Sequence, residues 1–588
     1  MLRQRCFIFL VLVLAPLSHA SGQPKFYPSD PLLADNDRLI DVTQEPAEIE
    51  LSDLWDRFSH IFHIFGDPPY PVFVEAQNVN TRDEVPDSTW FTSRHAQRRM
   101  SIAELVRGPN VDGPPDPNTT WTVIAGKSQG ITPGFTIQDA QGRRYVIKLD
   151  PIHVPELATA AEAIGTRLFY ALGYYTPQNY IVRVHPDRFV PKPGTMVDDA
   201  FGGEVPLTTR RMTWMLREVP RDRQGRIRVI ASRFIEGVPL GPFRYHETRS
   251  DDPNDVLPHE HRRELRGLRL FAAWTNHDDT RAHNTHTSWI EEGGRHYVKH
   301  YMLDFGSTFG SGSVDLQLPN LSYHYWLSLD EVTKNARSLG FRVPRYRKVE
   351  WPAFPEYEAV GRWESASFDP AGWRNDYPNP AFVRMTPRDA FWAAKIIMSF
   401  TPDELMAIVA TGEFSNAEHT RYFHQVLVER QRKSGEFGIH LLNPLDEFAL
   451  SGDMLTFVNL SEKYGFVAAG STRYRVSWSL YDNRAASVRQ RLGEPATIST
   501  PSSGLQPPSR PAGERVGVRG TGEAQVPLPE PRRYLGDRDL LLVAEISSLH
   551  PDHPHWERPV RIYLRSTGAR YEVVGIERDA PQEYVGMK

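Results

Sequence analysis

Three short apolar strands and one periodic helix follow each other within residues 120–173. No other stretch constrains the fold as much. The runs TWTVIAG, GFTIQD and RRYVIKLD alternate as strands do, and the last two join through a turn at Asp139–Gly142. In PELATAAEAIGTRLFYALG the apolar residues Leu157, Ala161, Ile164, Leu168 and Leu172 recur every three or four positions. Pro155 suits a first helical turn and Gly173 a helix end. A small sheet covered by one helix is the expected outcome. Lys148 breaks the pattern by placing a charge at the end of an apolar strand, where it must reach solvent or hold a partner.

A chain of 588 residues is too long for one core, so two or three domains are expected. Its first residues form a separate unit. Two arginines within Met1–Arg5 precede the apolar run Phe7–Leu17 and then Ser18-His19-Ala20. This is the order of a secretory signal peptide, too short for a comfortable membrane span, with cleavage expected after Ala20. The one cysteine, Cys6, lies inside it, so the mature chain has neither disulfides nor thiolate chemistry. A cysteine-free exported chain of this size fits a bacterial periplasm or exterior. No transmembrane segment is expected after signal removal. Loss of the two arginines moves the formal net charge from −5 to −7, which gives no footprint for nucleic acid.

Residues 21–120 are rich in proline and aspartate, with one helix expected around 51–65 and a connector at 110–118. RIRVIASRFIEG (226–237) reads as a buried strand and 259–275 as a helix. THTSWI, EEGG and RHYVKHYML make a hairpin. Thr386, Thr401 and Ser415 begin successive helices, so 380–435 is largely helical; Thr401/Glu404 and Ser415/Glu418 have capping-box spacing. From about 445 the pattern returns to strands. TRYRVSWSLYD alternates Tyr474, Val476, Trp478 and Leu480, and VRIYLRSTGARYEVVGI reads as a hairpin turning at Thr567–Gly568. The stretch 484–533, dense in Pro, Ser, Gly and Arg, reads as a mobile insertion.

The richest chemistry lies in NHDDTRAHN (276–284) and YMLDFG (301–306). The nonapeptide offers His277, Asp278 and His283 as metal ligands, yet it also fits H-x-D-x-[KR]-x-x-N, with a hairpin leading on to Asp304. Phosphoryl transfer uses this order. One aspartate accepts the proton of the substrate hydroxyl, an asparagine five residues on holds magnesium, and a second aspartate holds metal against the phosphates.

With these elements in order, the chain resembles the protein-kinase-like superfamily. The resemblance covers roughly residues 120–435. It implies Asp279 as the base, Arg281 steadying a phosphate, and Asn284 and Asp304 as the magnesium ligands, with ATP as cofactor. It also implies a lysine on the third strand, which YVIK supplies in Lys148, with Glu162, ahead of Glu156, as its ion-pair partner. A phosphate-covering loop should precede that lysine. Gly126, Gly130 and Gly134 lie where it belongs, although their spacing departs from G-x-G-x-x-G and Pro133 interrupts them. A Walker A reading of Gly126-Lys127-Ser128 fails, because Trp121 stands where that motif needs glycine. Glu236, in FIEG, falls at the hinge that would hold an adenine. No A-P-E follows Asp304. The chain is therefore most similar in style to the HipA-type, phosphatidylinositol-type and CotH-type kinases.

The expected architecture is α+β. An N-lobe and hinge over 121–237 combine a small antiparallel sheet with a helix, and a mostly helical C-lobe spans 238–444. A β-rich, sandwich-like domain covers 445–588. The expected function is an exported phosphotransferase using Mg2+ and ATP on a protein, lipid, sugar or small-molecule acceptor. Its rivals are an inactive kinase-fold scaffold of the cell envelope and a metal-dependent phosphohydrolase.

Overall fold

The computed structural model describes residues 23–52, 54–58, 60, 73–126, 134–198, 203–339, 341–351, 359–499, 522–529 and 537–586. The signal-peptide stretch therefore lies outside the described residues, as does Gly130. The chain is a mixed α/β protein with several sheets. Its first sheet has the order β4-β8-β3-β2-β1-β5. The members are β1 (Trp121–Gly126), β2 (Gly134–Gln138), β3 (Arg144–Leu149), β4 (Asn179–Val184), β5 (Phe189–Pro191) and β8 (Ile227–Arg233). A small separate hairpin pairs β6 (Met196–Asp198) with β7 (Glu204–Pro206). The antiparallel expectation holds except at one edge. There β5 runs parallel to β1, reached from β4 through the short turn Pro186–Arg188.

Helix α1 (Leu157–Leu172) follows β3 as the periodicity predicts, and Gly173 closes it at φ 130°. Sequence and structure differ at its start. Pro155 precedes the helix, and Glu156 caps it in the left-handed region. The strand 226–237 ends at Arg233, and the chain passes through Phe234–Gly237 to β9 (Val238–Pro239). Strand β9 edges a second sheet with β10 (Thr285–Glu292) and β11 (Arg295–Met302), the expected hairpin, registered from Thr285↔Met302 to Glu292↔Arg295.

Helices α2 (Arg263–Thr275), α3 (Pro387–Met398), α4 (Pro402–Ala410) and α5 (Ala417–His440) build the helical region. Reciprocal capping boxes open α3 at Thr386/Asp389 and α4 at Thr401/Glu404, whereas Asn416 rather than Ser415 caps α5. Helix α2 is unusual in burying Arg263, Arg266 and Arg269, with Arg262 just ahead of it. Two of these guanidinium groups dock distant segments. Arg263 takes Asp83 from the N-terminal segment, and Arg269 donates to the carbonyls of Pro370, Ala371, Trp373 and Gly586. Buried guanidinium groups satisfied this way fix where distant segments lie.

The N-terminal segment is irregular but tied down. Residues 54–58 are helical, while 61–65 of the expected helix lie outside the described residues. Val42, Ile49 and Thr81 bond to His296, Leu240 and Val574, so the segment touches the sheet of residues 285–302 and the strand 571–578 near the chain's end. The connector 110–118 is stitched to β4 through Asn110, Gly113 and Tyr180.

Beyond α5 lie two more sheets. One has the order β12-β13-β16, the other β15-β14-β17-β18-β19. The strands are β12 (Leu445–Ser451), β13 (Met454–Asn459), β14 (Arg473–Asp482), β15 (Ser487–Ser499), β16 (Glu523–Pro527), β17 (Leu540–Leu549), β18 (Val560–Ser566) and β19 (Tyr571–Arg578). Leu455, Phe457 and Val526 of the first share an apolar cluster with Val476, Ile546 and Ile562 of the second. The expectation of a mobile insertion over 484–533 is corrected here. Its first part is the 13-residue strand β15 along the edge of β14, and its later part includes β16. Nearly every side chain of β15 is exposed, so backbone pairing holds it without any apolar alternation in the sequence. Residues 500–521 and 530–536 lie outside the described residues.

Candidate active site

Alternation along β3 decides where Lys148 goes. Tyr145, Ile147 and Leu149 are buried in the sheet's core, which leaves Lys148 on the opposite face toward α1. Its register neighbours are Gly134 on β2 and Ile230 on β8. There Lys148 Nζ donates to Glu162 Oε2 at 2.9 Å and to Asp304 Oδ1 at 2.8 Å. Burial opposes the ammonium charge, but Asp304 and then Glu162 outweigh it and hold Lys148 above the usual lysine range.

Asp304 follows β11 in the left-handed region, at φ 56°. Phe305 behind it is wedged beneath α1, with its ring 4.8 Å from that of Phe169. Only glycine fits opposite: a Cβ on Gly165 would lie 2.6 Å from the Phe305 Cβ. His277 completes this packing, its ring 5.8 Å from both Phe169 and Phe305. Burial pushes its imidazole down to about 4, so His277 is a neutral core residue.

The rest of NHDDTRAHN divides sharply by partner. Asn276 takes the left-handed conformation that ends α2. Asp278 accepts from Gln317 Nε2 at 2.6 Å, and His283 Nε2 meets the Leu51 carbonyl at 3.0 Å. His277, Asp278 and His283 are therefore not brought together as a metal centre. Among the described residues no group of three or more His, Cys, Asp or Glu side chains is arranged to hold a metal ion.

Asp279 pairs with Arg281, Oδ1 to Nε at 2.7 Å. Burial pushes its carboxyl up to about 6; Arg281 and Asn284 act against the rise, while Asp304 and Asp376 add to it. Asn284 Nδ2 donates to the Asp279 carbonyl at 2.7 Å, which leaves the amide oxygen as the acceptor on offer. The Leu303 N–H donates to the Asn284 carbonyl at 2.9 Å, tying this loop to the residue before Asp304. An amide oxygen and a carboxylate are hard donors of the kind magnesium takes. Such an ion is bound mainly through phosphates and water, and it needs no third protein ligand.

Gly126 and Gly134 lie in paired strands of the first sheet. Gly126 ends β1, paired with Phe135, and a Cβ there would meet Val197 at 2.9 Å. The Glu236 side chain is exposed, while its carbonyl accepts from Ser288 Oγ at 2.5 Å.

Three contributors escaped sequence reasoning. Asn179 bonds Glu162, Gly165 admits Phe305, and Asp376 joins the loop through its N–H to the Asp278 carbonyl. Asn179 alone left a signal, as a polar residue opening the apolar strand NYIVRV.

No family model matches the chain, and no curated protein matches it in sequence. Among solved structures it is similar to the Helicobacter pylori proinflammatory kinase CtkA, at 12% identity and a TM-score of 0.29, over 56% of this chain and 99% of the other. It is also similar to the Golgi casein kinase with Mn/ADP bound, at 10% identity and a TM-score of 0.25, over 70% of this chain and 94% of the other. A second Golgi casein kinase structure gives 10% identity and a TM-score of 0.27, over 70% and 97%. At such scores, the function proposed below stands on the residues' own geometry.

Proposed function

We propose that the chain is an exported kinase-like phosphotransferase that moves a phosphoryl group from Mg-ATP to an acceptor hydroxyl. In this reading the first sheet with α1 is the N-lobe, the helical region is the C-lobe, and the two last sheets form an appended β domain. The observation that carries it is the position of Lys148 Nζ, within 2.9 Å of both Glu162 and Asp304. Those three residues come from β3, α1 and the turn after β11, and they place one ammonium between two carboxylates, one of which stays partly exposed.

The roles follow from charge and reach. Lys148 would meet the phosphates, held in place by Glu162. Asn284 and Asp304 would hold magnesium, which when bound neutralises charge building up on the phosphates. Asp279 would take the proton of the acceptor hydroxyl, and its partner Arg281 would steady the transferring group. The segment 234–237 would be where a base docks, although its Phe234 N–H and Glu236 carbonyl already bond to Arg144 and Ser288. The charged, apolar, small-residue order of residues 1–20 supports export to a periplasm or exterior. Among the described residues no helix is long and apolar enough to cross a membrane.

The direct Lys148–Asp304 contact also favours a second reading, a kinase-fold scaffold in which these two groups satisfy each other permanently. Thermal unfolding with and without Mg-ATP separates the two. The enzyme reading expects stabilisation by about 2.7 kcal/mol at a hundredfold excess over Kd, and its loss in Asp304→Asn. It expects label transfer to vanish in Asp279→Asn while binding persists. No shift in the unmodified protein would sink the enzyme reading and leave the scaffold.

A further inference from the structure

We propose that Asn179 is a positioning residue for the Lys148 site: it holds the Glu162 carboxylate in place, and Asn110 in turn holds Asn179. This rests on the reading above and deepens it. Asn179 opens β4 with no exposed surface. Its Nδ2 donates to Glu162 Oε1 at 2.9 Å and to Thr166 Oγ1 at 2.7 Å. Glu162 thus uses one oxygen for Asn179 and the other for Lys148. An ionised carboxylate only accepts, so the amide must present nitrogen to it.

The backbone of Asn179 is clamped as well. Asn110 Oδ1 accepts from its N–H at 3.0 Å, and Asn110 Nδ2 donates to its carbonyl at 2.7 Å. A continuous chain of polar contacts therefore runs from the connector to the site: Asn110, Asn179, Glu162, Lys148, Asp304. Among the described residues Asn179 Oδ1 finds no partner. A side chain kept for packing alone would be apolar here, because an unpaired buried acceptor is costly. The donor half of the amide is the half in use.

Two measurements test this, one of which needs no nucleotide. With Mg-ATP, Asn179→Leu should lower kcat/KM for ATP by about ten- to hundredfold, the usual loss for a buried hydrogen bond to a charged group. The KM for the acceptor should stay unchanged. Asn179→Asp sets two carboxylates together and should lose at least as much. Pairing Asn179→Asp with Glu162→Gln restores one donor and one carboxylate and should recover part of the loss. Wild-type kinetics in Asn179→Leu, or losses that simply add in the double variant, would overturn the inference.

Without nucleotide, acetic anhydride labelling of Lys148, read by peptide mass spectrometry, should be faster in Asn179→Leu. Asn110→Ala, at a half-buried position that touches Asn179 only through its backbone, should change it in the same direction by less. An unchanged labelling rate in both overturns the inference whether or not ATP binds. Failure of the unmodified protein to bind Mg-ATP, with labelling altered as expected, instead sinks only the enzyme reading.

Discussion

Two buried ion-pair clusters of this molecule are built in opposite ways. At the candidate site one cation, Lys148, meets two carboxylates, and the Asp304 side chain stays 27% exposed. At Asp83 one carboxylate meets three guanidinium groups: Arg263 and Arg388 at 2.7 Å and Arg578 at 3.3 Å. Those arginines come from α2, α3 and β19, while Asp83 belongs to the N-terminal segment. Burial alone would raise the Asp83 carboxyl, but Arg263, Arg388 and Arg578 outweigh it and hold the group well below the usual carboxylate range. A buried acid surrounded by cations has nothing to offer a ligand and acts as a joint. A cation facing a surplus of carboxylate, one of them open to solvent, can release that carboxylate to an arriving metal.

The largest expected effect tests the joint. Asp83→Asn should lower stability by about 3–5 kcal/mol, because it removes the one carboxylate that three guanidinium groups share and leaves Arg263 only Asp389 and Arg578 only Asp446. The sign with pH follows from the depressed carboxyl. Its contribution is fully present above the unfolded value near 3.8 and fades only as pH falls toward the folded value. Denaturant unfolding of both proteins should show a constant gap from pH 5 to 8 that narrows below about 4. A gap below about 1 kcal/mol, as for an exposed pair, would erase the distinction between the two clusters.

Next in size, Lys148→Met should cut phosphoryl transfer by about 10²–10³, the usual cost of losing one charge-stabilising group. Its effect on stability should be smaller than that of Asp83→Asn, because Glu162 keeps its bond from Asn179. If unfolding shows the reverse order, Lys148 belongs to a joint and the scaffold reading gains.

The two clusters also differ in how far the sequence announces them. Lys148 ends an apolar strand, Asp304 ends another, and Glu162 sits one turn into a strongly periodic helix, so each can be singled out from local pattern. Asp83 lies in a proline- and aspartate-rich stretch, and its arginines are spread over more than 300 positions; nothing local marks them as buried. Helix α2 even looks solvated, since RELRGLRLF carries three arginines, yet all three are buried. Periodicity cannot tell a buried arginine from an exposed one, because the partner that makes burial tolerable lies far away in sequence. The same blindness explains β15, an edge strand whose ladder bonds to β14 leave no apolar alternation to read. Pro495 within it suits an edge strand.

A mid-sized effect probes what aligns the site without touching its charges. Gly165→Val should push Phe305 and α1 apart, because even a Cβ would stand 2.6 Å from the Phe305 Cβ. Overpacking of this kind costs about 1–3 kcal/mol. The shift should separate Glu162 from Lys148 and weaken Mg-ATP binding beyond what the stability loss explains. Unaltered nucleotide affinity in a folded Gly165→Val protein would show that α1 does not set the pair.

The smallest effect has the most telling sign. Asp279 is partly buried, and its carboxyl is pushed up to about 6, so the folded state holds the proton more tightly than the unfolded chain does. Its contribution to stability is therefore fully present below about 3.8 and is lost as pH rises through about 6. Above that, the folded protein carries a charge that it disfavours. Asp279→Asn removes that charge and should stabilise the metal-free protein by about 1–2 kcal/mol at pH 8, discounted from the full shift for the side chain's 22% exposure. Near pH 4 the gain should vanish, and phosphoryl transfer should be lost at every pH. Thus the same exchange of aspartate for asparagine weakens the molecule at Asp83 and strengthens it at Asp279. Calorimetry at pH 4 and pH 8 reads both. A destabilised Asp279→Asn protein at pH 8 would mean that Asp279 is another joint, satisfied by Arg281, and not a base held ready for a proton.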